Sequence, residues 1–314
     1  MFWNKGTAAK PLNIPIDDLL VMLAPTSIKA RRDGNSIIAD HGRYLTRIEV
    51  LPPENTQAPG GQIKAVIRVK SQLPEPLRKV LGSHEGAEFA NKFGALGALT
   101  LGRGEIYIGS RLTIYESPDV WAKLDLPLLM FSVICGAEAV LGALRRSMQK
   151  EEDRGGESLW TEADMKSVER HMERLCVCSN GGLGFTAEFS LGEGAGSAIA
   201  GDNTTALFQL MADQPHPELG GGLFCLTQMP HRISDEQKLY RVCEQLNTME
   251  MAAQDLPPHF GAWCVGKLGS NPAYVSFLPN PFHSVAGIAV NVAHWAMHRA
   301  EWANAKLAEM GEGV

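Results

Sequence analysis

Two histidines near the end of the chain have the spacing of a metal-binding pair. His294 and His298 are four residues apart in a predicted helix, so both rings lie on one face, as two ligands of a single zinc ion require. The catalytic zinc motif also needs a glutamate directly after the first histidine, as the general base, and this chain has Trp295 there. The pair is therefore interpreted as packing, and no metal site is predicted.

A second group of possible ligands follows the pattern H-x4-C-x-C, with His171, Cys176 and Cys178. Alternate residues of a strand point the same way, so the two thiols could begin a soft-metal site. No second Cys/His pair follows at the spacing of a zinc finger. Most of the six cysteines lie in apolar runs, which is typical of buried free thiols in a reducing compartment. We therefore predict buried thiols rather than ligands or nucleophiles.

A glycine-rich segment, 192–201, precedes Asp202 and two threonines, and its backbone N–H groups could surround an anion. It lacks the Gly-Lys-Ser/Thr ending of a phosphate-binding loop, and its G-x-G-x-G pattern is not the dinucleotide fingerprint. Two interpretations stay open. Residues 192–205 form a flexible connection between strands, or they bind a small molecule or nucleotide in an enzyme. The sequence has no G-x-S-x-G nucleophile motif, and we predict no cofactor and no catalytic residue.

Length and charge limit the classes of protein to which the chain can belong. Its 314 residues are about twice the usual domain size, and its net charge of −6 is spread without long blocks of one sign. This argues against nucleic acid and anionic membranes as partners. The N-terminus lacks the pattern of a signal peptide, so a cytoplasmic protein is expected. The apolar segment 126–144 contains Glu138, and it is predicted to be a buried helix rather than a membrane span.

The order of predicted elements is the same in both halves of the chain. Each half has an opening helix, alternating strands, a strand after paired glycines, a helix containing an asparagine, two more strands and a long apolar helix. The ranges are 16–23, 27–30, 44–50, 60–69, 88–93, 104–109, 111–115 and 128–148 in the first half. In the second half they are 161–175, 184–191, 220–227, 244–249, 261–266, 273–277 and 285–309. Residues 161–164 also match a capping pattern. We predict an α+β fold with two tandem modules.

The charged, glycine-containing segment 149–158 is predicted to be the linker between these modules. The predicted domains are therefore residues 1–150 and 159–314. Sequential strands in each are expected to be joined by short turns, which makes each sheet antiparallel.

The asparagine helices carry a resemblance to a known family. Ala90-Asn91-Lys92-Phe93 matches the Ala/Leu/Val-Asn-x-aromatic pattern of YbjN-like proteins, which have the type III secretion chaperone-like fold, and Leu246-Asn247-Thr248-Met249 matches it with methionine in place of the aromatic. The resemblance implies a non-enzymatic protein-interaction or regulatory module with an unidentified protein or peptide partner. Secretion chaperones are single-module homodimers, so two modules in one chain imply a monomeric pseudo-dimer or a homodimer.

The two asparagines are predicted to be structural. A buried amide without partners costs about 1–3 kcal/mol, so Asn91 and Asn247 should each attach a helix to a neighbouring backbone segment.

Overall fold

The structure is a computed structural model, and it describes residues 20, 29–40, 45–54, 57–58, 61–73, 75–94, 97–102, 105–115, 142, 155–191, 205–266 and 269–311.

The first sheet lies in the N-terminal half of the chain. Its strands are β1 (Lys29–Asp33), β2 (Ser36–Asp40), β3 (Leu45–Leu51), β4 (Gln57–Ala58), β5 (Gly61–Gln72), β6 (Ala98–Gly102) and β7 (Glu105–Tyr115). Six of them run in the order β1-β2-β3-β5-β7-β6, and the short β4 pairs with β5 beside this path.

The second sheet lies in the C-terminal half. Its strands are β8 (Val177–Gly181), β9 (Gly184–Ser190), β10 (Thr205–Met211), β11 (Gly222–Gln228), β12 (Gly261–Val265) and β13 (Pro272–Pro279). Their order is β8-β9-β10-β11-β13-β12, and every pair in both sheets is antiparallel. Both paths therefore consist of a four-strand meander whose last strand pairs with the second strand of a later hairpin.

Five α-helices and a 3₁₀ helix lie in the described part of the chain. They are α1 (Glu75–Leu81), α2 (His84–Gly94), α3 (Glu162–Met172), α4 (Glu236–Ala252), α5 (Ile288–Glu309) and the 3₁₀ helix Asn280–Ser284. Helices α1 and α2 separate β5 from β6, and α4 separates β11 from β12. The structure confirms the α+β class with antiparallel sheets.

Alternation of side chains explains how the second sheet is covered. In β10, Ala206, Phe208 and Leu210 are buried while their neighbours are half-buried, as the two-residue period of a strand requires. In α5, Ile288 and Val292 belong to the same core cluster as these residues. The apolar faces of the strands and of α5 therefore pack against each other.

Local polar signals set the start of two helices. The Asp164 carboxylate accepts hydrogen bonds from Thr161 N (2.7 Å) and Thr161 Oγ1 (2.9 Å) at the start of α3. At the start of α4, Asp235 Oδ1 accepts from Lys238 N at 3.0 Å. At both helix starts a carboxylate thus accepts a hydrogen bond from a backbone N–H, that of Thr161 in one case and that of Lys238 in the other. The capping pattern read from residues 161–164 is confirmed.

The prediction of two strands at 104–109 and 111–115 is wrong. Residues 105–115 form the single strand β7, and its hairpin partner is β6, which the sequence pattern did not indicate. Gly109 does not end a strand. A Cβ at this position would lie 2.9 Å from Met251 Cε, so the glycine allows the strand to pack closely against α4. Strands β2 and β10 were also not predicted.

Several predicted elements lie outside the described residues. They are the opening helix at 16–23 except residue 20, the long helix at 128–148 and the apolar segment 126–144 except residue 142, residues 192–204, and the linker except 155–158. In the ranges that the structure describes, no helix has the length and apolar character needed to cross a membrane.

Candidate functional site

The two sheets approach each other at β6 and β12, which are the last strands of their respective paths. Helix α2 packs on β6 of its own sheet and also on β12 of the other sheet. Helix α4 does the converse, packing on β12 and also on β6, and the two helices contact each other. We call this reciprocal contact region, formed by α2, α4, β6 and β12, the junction.

The two predicted asparagines occupy equivalent places in the junction. Asn247 Oδ1 accepts from Trp263 N at 2.7 Å, and its Nδ2 donates to Trp263 O at 2.9 Å. Asn91 Oδ1 accepts from Leu99 N at 2.6 Å, and its Nδ2 lies 3.5 Å from Leu99 O. Both side chains are buried. Each amide thus attaches its helix to the adjacent strand of the same half.

A glutamate three residues before each asparagine contacts the opposite half. Glu88 Oε1 accepts from Val265 N at 2.7 Å, and Glu244 Oε2 lies 2.6 Å from His84 Nδ1. Burial raises the pKa of Glu88, although Val265 N–H and the ammonium group of Lys92 partly oppose this shift. The repeated Glu-x-x-Asn pattern therefore connects the helix to its own sheet and to its neighbour.

A fully buried ionic cluster lies next to the junction, with Glu250 of α4 at its centre. Glu250 Oε1 accepts from Arg299 Nε at 2.6 Å, and Oε2 accepts from Trp263 Nε1 at 2.7 Å. His259 Nδ1 lies 3.2 Å from Oε1. Burial alone would raise the pKa of Glu250, but the Arg299 guanidinium and His259 hold it well below its usual value. Glu250 is therefore ionised and paired.

His259 is neutral in this environment. Burial lowers its pKa and outweighs the ionised Glu250, which raises it, and the charges of Arg299 and Arg111 lower it further. Nδ1 of His259 also lies 3.1 Å from Tyr274 Oη. The other ring nitrogen, Nε2, is buried without a hydrogen-bond partner among the described residues.

Arg111 connects the first half of the chain to this cluster. It is fully buried on β7, and its Nε donates to Glu250 O at 3.0 Å. Its terminal nitrogens donate to Thr113 Oγ1 at 2.6 Å, to Leu256 O at 3.2 Å and to Pro257 O at 2.7 Å. The guanidinium group thus gives partners to carbonyls of a segment that has left α4 and cannot use helical hydrogen bonds.

The segment between α4 and β12 is held from both halves. Arg299 Nη2 donates to Pro258 O at 2.7 Å, and His259 N donates to Arg111 O at 2.8 Å. The Arg299 guanidinium also lies over the Tyr274 ring, with Cζ 4.0 Å from the ring centroid. The cluster therefore determines how this segment, and with it β12, sits against the first sheet.

Glu250, His259 and Tyr274 are residue types that catalyse proton transfer, but their position excludes that role in this conformation. The exposed fraction of each residue is at most 4 %. A general acid or base must come within hydrogen-bond distance of its substrate. The partners of these groups are instead other groups of the same chain. The arrangement binds chain segments together.

The two histidines whose spacing resembles a metal pair are neighbours on α5, and burial, followed by the nearby His298 and His171, lowers the pKa of His294. His294 is half-buried, whereas His298 is exposed and its Nδ1 lies 3.6 Å from Glu301 Oε2. Within the ranges described above, no group of three or more His, Cys, Asp or Glu side chains is placed to hold a metal ion.

The two thiols of the Cys-x-Cys pattern are half-buried rather than buried, which corrects the prediction for this pair. Cys176 lies just before β8 with its Sγ 3.5 Å from Met172 O of α3, and Cys178 lies on β8 at the end of the sheet; both pack against the edge of the core. Burial raises the pKa of the Cys176 thiol to about 11, which lowers its reactivity at neutral pH. His171 Nδ1 lies 2.6 Å from Ser167 O of its own helix. Residues Cys225, Cys243 and Cys264 are buried.

Sequence reasoning did not find the buried ionic cluster. One signal was present, because Glu250 is three residues after Asn247 and therefore lies near it on the same helical face. A charged residue between Met249 and Met251 on that face needs a buried partner. Nothing in the sequence pattern indicated that Arg299 supplies it.

The fold and the junction define an α+β protein with two antiparallel sheets of the same strand order. No family model matches the chain, and no curated protein or solved structure matches it either.

Replacement of Asn247 by alanine is expected to destabilise the protein more than replacement of Asn91. Each leaves a buried backbone N–H and C=O without the amide, at a cost of about 1–3 kcal/mol for each group. The 3.5 Å contact of Asn91 is weak, so less is lost there. We expect losses of about 2–4 kcal/mol for Asn247→Ala and about half of that for Asn91→Ala in urea unfolding. The reverse order would contradict the assigned geometry.

The protein is expected to lose stability as the pH falls below about 6.5. The lowered pKa of His259 means that the unfolded chain binds a proton more readily in this range, so the free energy of unfolding falls with pH. His231 and His294 act in the same direction, and the raised pKa of Glu88 acts in the opposite one. Urea unfolding at about pH 7.5 and pH 5.5 should show a smaller difference for His259→Gln than for the wild type. If the free energy of unfolding changed equally with pH in the variant and in the wild type, His259 would not be a source of the pH dependence.

Proposed function

We propose that the chain is a non-enzymatic, chaperone-like protein-interaction module in which two tandem copies of one α+β unit form a covalent pseudo-dimer. The observation that carries this proposal is the reciprocal junction, in which α2 lies on β12 and α4 lies on β6. Two subunits related by a two-fold axis contact each other in this way, because both use the same surface patch in the interface. The shared strand order of the two sheets supports the same interpretation.

The equivalence of the two units extends to individual side chains. Asn91 and Asn247 make the same type of contact to the strand that begins the hairpin, and Glu88 and Glu244 both reach the opposite half. Such agreement is expected of two copies that diverged from one unit. The equivalent strand residues, Leu99 and Trp263, are separated from their asparagines by 8 and 16 positions, so the agreement lies in the structure rather than in the spacing.

The non-enzymatic part of the proposal rests on where the ionisable groups lie. Among the described residues, Glu250, His259, Arg111 and Arg299 form a buried cluster of acid, base and cationic side chains that binds chain segments. We therefore place the binding surface on the outside of the protein. The proposed partner is an unidentified protein or peptide. Extended segments bind to sheet edges through main-chain hydrogen bonds, which both sheets offer.

Purification of the tagged full-length chain from its native cytosol tests this function. We expect a protein partner in a constant ratio to the chain, measured by quantitative mass spectrometry and then by titration of the two purified proteins. The control is the urea-denatured chain on the same resin, because exposed core residues capture proteins without specificity. Repeated recovery of the chain alone, or equal capture by the denatured control, would contradict the proposal.

A thermal-shift screen separates this function from the alternative, an enzyme that binds a small molecule or nucleotide through residues 192–205. A ligand at about 100 times its dissociation constant stabilises a protein by about 2.7 kcal/mol. The interaction module should show no such shift with nucleotides, inorganic phosphate or divalent metals. A saturable shift with one of them would favour the enzyme.

A further inference from the structure

The outer edges of the two sheets differ in charge. β1 ends the first path and β8 ends the second, and in the described part of the chain each pairs with one neighbouring strand. β1 carries the exposed side chains of Lys29, Arg31 and Arg32. Positive charges on an edge strand repel an identical strand, which is a common protection against edge-to-edge association.

β8 has no such protection. Its sequence, Val-Cys-Ser-Asn-Gly, contains no charge, and Val177 is 74 % exposed. Leu175, just before the strand, is 52 % exposed, and Leu183, in the turn after it, is 39 % exposed. An uncharged edge strand with exposed apolar side chains is a template for pairing with another strand.

Helix α3 covers one face of β8 and holds the strand in place. Asn180 Nδ2 donates to Glu169 Oε2 at 3.1 Å, and Cys178 packs against the core on the same side. Successive side chains of a strand alternate between its two faces, so Val177, Ser179 and Gly181 lie on the opposite, exposed face. The strand therefore presents both a fixed backbone edge and an exposed apolar face.

We propose that two copies of this chain associate through antiparallel pairing of β8 with β8 of the second copy. The exposed residues are placed symmetrically about Ser179. A two-fold axis there sets Val177 opposite Gly181 of the second copy, where a Cβ would meet no atom within 4 Å, and brings Leu175 near Leu183 of the second copy. An uncharged strand meets no repulsion from its own copy, whereas a charged peptide would find no opposite charge on β8.

Association through β8 does not require the protein partner proposed above. Two-fold association is the commonest form of homo-oligomer, and its contact surface must be complementary to itself. The positions of Leu175, Val177, Gly181 and Leu183 around Ser179 meet that condition.

Sedimentation equilibrium of the full-length chain over about 1–100 µM tests the proposal, since this range covers micromolar dissociation constants. The wild type is expected at twice its mass of 34.1 kDa. Val177→Lys should sediment at the single mass in the same range, because two added ammonium groups face the paired edge. Val80→Lys is the matched control, since Val80 is 59 % exposed on α1, and this variant should remain at twice the mass.

If Val177→Lys does not fold, Ser179→Lys replaces it, because two ammonium groups would then meet at the axis. Amide exchange of residues 177–181 is the second measurement, and these amides should be protected in the wild type and exchange faster in the lysine variant. A wild type that stays at a single mass throughout the range overturns the proposal. So does a lysine variant on β8 that still sediments at twice the mass.

Discussion

Replacement of Glu250 by alanine is expected to lower the free energy of unfolding by about 3–5 kcal/mol. The carboxylate accepts from Arg299 Nε at 2.6 Å and from Trp263 Nε1 at 2.7 Å, and both partners are buried. Alanine would leave the Arg299 charge in the protein interior without its counter-charge. Urea unfolding followed by tryptophan fluorescence measures the loss.

Glu301→Ala is the matched control for this prediction. Glu301 is also a glutamate next to a basic group, since its Oε2 lies 3.6 Å from His298 Nδ1, but both side chains are more than half exposed. An exposed pair contributes about 0–1 kcal/mol, so little change is expected. The double variant Glu250→Met/Arg299→Met should be more stable than Glu250→Ala, because it removes the Arg299 charge together with its counter-charge. Equal losses for Glu250→Ala and Glu301→Ala would contradict the buried ion pair.

Replacement of Arg111 by alanine should cost a similar amount, about 3–5 kcal/mol, because several acceptors lose their donor together. The carbonyl oxygens of Glu250, Leu256 and Pro257 and the hydroxyl of Thr113 all bind this one guanidinium group. Each buried acceptor left without a partner costs about 1–3 kcal/mol, and some of them are reached by other groups after the chain relaxes.

Arg111→Ala should also weaken the coupling between the two halves. Arg111 comes from β7 of the first sheet, whereas the carbonyls that it binds belong to the segment before β12. We expect one cooperative transition in calorimetry for the wild type and a broader or divided transition for the variant. Arg47→Ala is the control, since Arg47 is exposed and bonds Asp33 at 3.3 Å. A single sharp transition and a loss below about 1 kcal/mol for Arg111→Ala would contradict the role assigned to this residue.

The sequence predicted features that depend on residues close together in the chain and missed features that depend on residues far apart in it. The strand pair read at 261–266 and 273–277 predicted β12 and β13, and the polar pattern at residues 161–164 predicted the start of α3, because these signals arise between near neighbours. The hairpin of β6 and β7 was misassigned. Gly109 resembles a turn residue in the sequence, whereas in the structure it lies within a continuous strand, where a Cβ would lie 2.9 Å from Met251 Cε and 3.0 Å from Tyr107 Cε2.

The sequence by itself determined the α+β class, most of the apolar faces and the two asparagine helices, because each depends on a period of two or about 3.6 residues within one segment. Tertiary structure alone decided the buried cluster. Arg111 reaches the main-chain carbonyl of Glu250 across 139 positions, and Arg299 reaches the Glu250 carboxylate across 49. A charge can be buried only where its partner is brought to it. Which residues become partners depends on how the two halves pack, and no local periodicity carries that information.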